Sequence, residues 1–236
     1  MLDSIHQIAY GSKVIKYHLA FSNRKSLGIK VVPDCSVYVT APLDAHIFDI
    51  QEKIKSKARW IFKQQNFFQK YKPSTPERKF INGETHLYLG RQYKLKIISS
   101  VDNDVRVYRG EMMILTQKNT TLFAKKVLNE WYKTKAEVIF SELLNNVTGL
   151  FYSYKIASPI LEIRQMEKRW GSCSKSGKVT LNLDLIKAHK GCIEYVIIHE
   201  LCHLVYYNHT KDFYNLLVKF CPDWEKWKDK LERQLA

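Results

Sequence analysis

The stretch YVIIHELCHLVYYNHTKDF, residues 195–213, limits what this chain can fold into more than any other part of it. Tyr195 to Val205 is apolar enough for a buried helix, yet it carries His199, Glu200 and His203, with His209 following shortly after. Two imidazoles and a carboxylate are costly to bury on an apolar helix unless they meet a metal or hydrogen-bonding partners. Any fold must therefore close around this segment and still satisfy those groups.

His199-Glu200-Leu201-Cys202-His203 reads H-E-x-x-H. Helical residues four apart share a face, so the two imidazoles can converge on one tetrahedral Zn2+ with metal–nitrogen distances of ~2.0–2.1 Å. Glu200 sits one position round from His199, free to act as general base toward a metal-activated water. Such a site needs a third protein ligand, and His209, just past the expected helix end, can fold back to supply it. The spacing H-E-x-x-H-x5-H is that of metzincin proteases, but Tyr206 stands where those have a glycine turn. Cys202 falls toward the apolar flank with Val205 and reads as a small core residue. Cys173 has no histidine near it in sequence and reads as a packed turn residue.

The rest of the chain supplies alternation and two helical stretches. KVIKYHLAF, SLGIKVV and SVYVT alternate as strands, and Ile47, Ile50, Ile54, Ala58 and Ile61 then mark one face of a helix expected to run to about Tyr71. PSTPER breaks that pattern, KFINGETHLYLGRQYKLKII reads as a hairpin around Asn82-Gly83, and DVRVYRGEMMILTQ adds further strand. From Thr121, Leu122, Val127, Trp131, Ile139 and Leu143 predict a long amphipathic helix ending before Gly149. Strands follow in PILEIRQ and GKVTLNLDLI, then the motif helix from about Cys192 to Tyr206, stopped by a left-handed Asn208, and two closing helices. No internal repeat is visible. The expected domains are residues 1–118, a hairpin-rich β unit with a basic amphipathic helix, and residues 119–236, which carry the metal site.

Charge and cysteine content bound the partners and the address. The chain has 236 residues, with 38 Lys plus Arg against 23 Asp plus Glu, a formal net charge of +15 that attracts polyanions at low salt. Residues 53–79 concentrate this charge, with nine basic residues against Glu77 alone, interleaved with Trp60, Phe62, Phe67, Phe68 and Tyr71. That composition suits either a solvated helix face or a nonspecific nucleic-acid surface. The five cysteines form no C-x-x-C pair, which argues against a disulfide framework. No apolar run approaches the ~20 residues of a membrane span, and the start lacks a signal-peptide pattern, so the expected address is the cytoplasm.

RWGSC, LNLDLI, EYVIIHELCHL, NHTKDF and CPDW occur in this order, with VTAP, ARWIF and INGETHLYLGRQYKLKI before them. In these motifs the chain resembles the YgjP-like metal-dependent hydrolases, zincins related to the SprT and WLM proteases. The resemblance implies an α+β fold with a minimal zincin-like core, in which a small sheet packs on the long helix and the H-E-x-x-H helix, and an edge strand above the metal holds an extended substrate. It implies zinc on His199, His203 and His209, Glu200 as base, and a place beside the site for Arg169 and Trp170, which either touch substrate or brace it. The function this favours is a zinc metallopeptidase acting on protein or peptide. One alternative is a metal-dependent pyrophosphatase of nucleoside triphosphates such as UTP, although no P-loop or carboxylate cluster for Mg2+ is present. Another is a nucleic-acid-associated accessory protein with a structural metal.

Overall fold

Alternation in the opening third yields four strands, β1 (Ser4–Tyr10), β2 (Lys13–Ser22), β3 (Gly28–Val31) and β4 (Val37–Pro42). The structure is a computed structural model that describes residues 4–32, 34–70, 78–118, 120–156, 158–167 and 169–235. These strands form a sheet of order β1-β2-β4-β3, in which β2 and β4 run parallel and the outer pairs antiparallel. One face buries Ile15, Tyr17, Leu19, Val37 and Val39 against Ile50 and Ile54 of α1 (Ile47–Ser56) and Ile61 of α2 (Ala58–Lys70). The single helix expected here is thus two. Lys57 between them leaves helical geometry (φ −100°, ψ 3°), although its N–H still reaches Lys53 O and Ile54 O. Tyr71, the expected helix end, and most of PSTPER lie outside the described residues.

The next four strands are β5 (Thr85–Tyr88), β6 (Arg91–Ser99), β7 (Asp104–Tyr108) and β8 (Glu111–Thr116). Their order is β5-β6-β8-β7, again with a parallel central pair and antiparallel outer pairs. The chain therefore contains a repeated strand arrangement, contrary to the expectation from sequence. The repeat is carried by alternation and turn placement, which many sequences satisfy, and not by residue identity. The hairpin turn also differs from expectation. It lies at Leu89-Gly90, both with positive φ (47° and 80°), the turn that matches strand twist, whereas Asn82 accepts the Ile97 N–H through its Oδ1 at 2.6 Å.

This second sheet packs on α3 (Thr121–Thr148), which Thr120 caps by accepting the Phe123 N–H at 3.3 Å. Leu95, Val105, Met112 and Ile114 share one core with Ala124, Leu128, Tyr132, Ala136, Phe140 and Leu144 of α3. For that reason the two compact units are residues 1–75 and 76–235, and not the expected 1–118 and 119–236. The buried stripe of α3 also lies beside the one expected: Leu122 is 79% exposed, while Val127, Trp131, Ile139 and Leu143 flank the core.

A third sheet of order β10-β11-β9 follows, built from β9 (Ile160–Arg164), β10 (Gly171–Cys173) and β11 (Lys178–Asn182). The closing helices are α4 (Lys190–Val205), α5 (Lys211–Phe220) and α6 (Trp224–Leu235). Helix α4 is nearly all apolar because it is surrounded by α3, α5, α6, β10 and β11, with Ile193, Ile197 and Leu201 fully buried. Its end is not the expected left-handed Asn208. The chain leaves through Tyr206 in extended conformation (φ −126°, ψ 106°), with the Tyr206 N–H on Cys202 O at 2.8 Å. The fold is thus α+β, small sheets against a long helix and the motif helix. No described helix is long and apolar enough to cross a membrane.

Phe140 is fully buried at the centre of the second core. Phe140→Ala should lower the unfolding free energy of that unit by about 3–5 kcal/mol in denaturant titration.

Candidate metal centre

Helix α4 begins at His189, whose Nδ1 accepts the Gly191 N–H at 3.1 Å while its ring stacks on Trp227 of α6 (centroids 5.1 Å apart, planes 13°). From this fixed start, 3.6-residue periodicity carries His199 and His203 to one face one turn apart, with ring centroids 5.0 Å apart. The extended exit at Tyr206 then reverses the chain so that His209 meets both rings, at 5.0 and 4.6 Å. Phe213 of α5, fully buried, packs against all three imidazoles at 5.1, 4.7 and 4.7 Å. The H-E-x-x-H motif does not mark Phe213, although its position four beyond His209 is a usable signal.

The donor geometry fits a divalent cation. One nitrogen from each of His199, His203 and His209 lies within 4.8 Å of the other two. The Nε2 atoms of His199 and His209 are 3.1 Å apart, and two nitrogens on a tetrahedral zinc with ~2.0–2.1 Å bonds stand about 3.3 Å apart. His203 Nδ1 lies 3.3 Å from Tyr206 O, which directs its other nitrogen to the cluster. His199 Nδ1 is buried with no hydrogen-bond partner, so that ring's one polar contact is the one toward His209. Desolvation, and then the charges of His203, His209 and Lys228, hold the His199 imidazole down to about 3, so it is neutral and its lone pair is free. A cation where the three nitrogens converge satisfies all of them together.

Glu200 lies beneath β10 with Val196, one turn before it on α4, and is only 6% exposed. A Cβ on Gly171 would stand 2.7 Å from Glu200 Oε1 and 2.9 Å from its Cγ. Only glycine lets the strand cross the helix this closely, which explains the glycine of RWGSC. Burial pushes the Glu200 carboxyl up to about 7, against the opposing pull of the Arg169 guanidinium. The same burial, with the Glu200 charge adding to it, pushes the Cys173 thiol up to about 11, and Cys202, fully buried, is pushed up to about 12. Neither offers a thiolate at neutral pH.

The two residues before Gly171 take different places. Trp170 donates from Nε1 to Glu232 Oε1 on α6 at 3.2 Å and packs against the core, so it ties the β10 turn to the last helix. Arg169 is exposed, its guanidinium acting on Glu200 and its carbonyl accepting from Asn182 Nδ2 at 3.1 Å. Asn182 is the residue that sequence reading passed over. Nearly fully buried, it donates to Met166 O and Arg169 O and accepts from the Met166 and Asp184 N–H groups, pinning the loop before β10 from both sides. A polar amide inside the apolar LNLDLI was the available signal.

β10 is an edge strand. Trp170 O accepts from Asn182 N and Ser174 N donates to Lys178 O, so the even-numbered residues face β11. Gly171 and Cys173 therefore turn their N–H and C=O groups to the open edge, immediately above Glu200.

Comparison with known proteins bears on this arrangement. No curated protein matches the chain. Solved structures that resemble it in part include two archaeal metallopeptidase zymogens. The metallopeptidase zymogen abylysin of Pyrococcus abyssi is 21% identical, with 41% of this chain and 99% of that one covered and a TM-score of 0.34. The metallopeptidase zymogen jannalysin of Methanocaldococcus jannaschii is 23% identical, with 41% and 90% covered and a TM-score of 0.36. The profile of the YgjP-like metallopeptidase domain matches residues 25–234, which span the first helices, the second sheet, the three histidines and Glu200. The chain belongs to the YgjP-like metallopeptidase family, whose name carries both a metal and a peptide bond.

Proposed function

We propose that the chain is a zinc-dependent peptidase in which His199, His203 and His209 hold the ion and Glu200 is the general base. The observation that carries this reading is the crossing of β10 over α4 at Gly171, which sets an open strand edge above a buried carboxylate on the helix that also carries two of the three convergent imidazoles. An extended peptide pairs with Gly171 and Cys173 along that edge, so its scissile carbonyl is presented by backbone hydrogen bonds that do not depend on side-chain identity. His199, His203 and His209 would hold the zinc, which would supply a Lewis acid for the carbonyl and acidify water. Glu200 takes the proton of the attacking water and hands it to the leaving amine. Arg169 favours the ionised form of Glu200 and so keeps it ready to accept. Trp170, through Glu232, and Asn182 act on the reaction by holding β10 and its turn in place. The three-histidine set with neutral, desolvated His199 favours zinc among common divalent ions.

Three substitutions test separate parts of this reading on an unfolded-protein substrate, with UTP assayed in parallel. His209→Ala should lose stoichiometric zinc by metal analysis, and retention of the full complement would remove His209 from the ligand set. Glu200→Gln should keep zinc but lower hydrolysis by about 10²–10⁴-fold. Gly171→Ala should also keep zinc and lower kcat by about 10²-fold, because the new Cβ displaces Glu200 from beneath the strand. Turnover of UTP with no cleavage of protein would overturn the peptidase assignment.

A further inference from the structure

The first sheet has one face packed on α1 and α2 and a second face that the site chemistry does not use. Strand alternation and register assign Ile5, Gln7 and Ala9 of β1, Val14, Lys16, His18 and Ala20 of β2, Gly28 and Lys30 of β3, and Tyr38 and Thr40 of β4 to this outward face. Ile5, His18, Tyr38 and Lys30 form one row across all four strands. Ile5 is 69%, Val14 54% and Tyr38 39% exposed. His18 and Tyr38 stack on one another with centroids 4.8 Å apart and planes at 16°. In the next row, the space where a Gly28 side chain would stand is filled by the Arg24 guanidinium, whose Nη1 lies 2.6 Å from the Cβ position.

This face thus combines three cations, Lys16, Lys30 and Arg24, with a stacked aromatic pair, and no outward position on its four strands holds a carboxylate. None of the three cations has a carboxylate partner among the described residues. The second sheet, with the same strand order, provides an internal comparison. Its outward face carries Glu111 and Asp104, which pair with Lys96 at 3.7 Å and Arg106 at 3.0 Å, while Lys94 donates to Thr85 Oγ1 at 2.9 Å. Carboxylates thus stand on the outward face of the second sheet and on none of the outward strand positions of the first. A cleft of about 320 Å³ opens beside the stack, lined by Ile5, Val14, Lys16, His18, Asp34 and Gln65 among others. Asp34, the acid there, spends its Oδ1 on the Ser36 N–H at 2.7 Å.

We propose that the outward face of the β1–β4 sheet binds single-stranded nucleic acid, with bases extending the His18–Tyr38 stack and phosphates meeting Lys16, Lys30 and Arg24. Stacking on a ring pair tolerates any base, and unpaired cations on a sheet free of carboxylates select a polyanion. The cleft gives an unstacked base room beside the column, which a duplex, with its bases already stacked, does not use. Ile5, Val14, Lys16, His18 and Arg24 precede residue 25, where the family match begins, while Lys30 and Tyr38 lie within it.

Fluorescence anisotropy of a labelled 15-nucleotide oligo-dT with the full-length Glu200→Gln protein tests this, with a duplex of equal length and poly-glutamate as comparison ligands. The single strand should bind more tightly than either. Tyr38→Ala should weaken it on the order of 10-fold while leaving the salt slope unchanged. Lys16→Gln with Lys30→Gln should reduce the slope of log K against log salt by about 0.7 per lysine. Lys57→Gln with Lys63→Gln, on the helices, should leave binding near that of the parent. Circular dichroism confirms that each variant is folded. Equal affinity for duplex or poly-glutamate, undiminished binding by folded Tyr38→Ala, or loss confined to the helix variant would each overturn the proposal.

Discussion

The close crossing of β10 over α4 is the contact on which the rest of the second unit depends. At Gly171 the strand passes so near the helix that the Glu200 carboxylate occupies the space a side chain would take. Everything around it maintains that approach. Asn182 fixes the incoming loop, Trp170 reaches α6, and His189 stacks on Trp227 to set where α4 begins. The apolar packing on α3 then presses the helix against the sheet. A carboxylate so enclosed is driven toward its neutral form, and burial pushes it up to about 7.

The features legible in the sequence are those with local causes. α3 and α4 stand close to where apolar periodicity and the Thr120 cap put them, and the three histidines come together as the H-E-x-x-H spacing and the position of His209 require. Where non-local packing decides, the sequence was less informative. Asn208 has a side chain that tolerates left-handed backbone, but Tyr206 ends the helix in extended form with its carbonyl beside His203. Asn82-Gly83 is a strong hairpin signal, yet Leu89-Gly90 makes the turn, because the flanking strands pair around it and Asn82 is drawn to Ile97. The division at residue 118 failed for a related reason. Strand signals group with strand signals in a sequence, while in space β5–β8 bury their apolar face on α3.

The repeated strand order shows how one arrangement can be put to two uses. In both sheets an antiparallel hairpin flanks a parallel central pair, and the inward face packs on the helix that follows in sequence. The outward faces have diverged without disturbing this, since alternate residues of a strand see different surroundings and can vary independently. Carboxylates on the outward face of one sheet and their absence from the other are therefore compatible with a common framework.

The sequence distances spanned by these contacts also order the assembly of the site. His199 and His209 are ten residues apart, and forming their contact closes only a short loop. Trp170 and Glu232 are separated by 62 residues, so the tether that steadies β10 requires a much larger closure, with a correspondingly greater loss of chain freedom. The contact that brings two imidazoles together is therefore local in the chain, while the one that steadies the edge strand waits on the last helix.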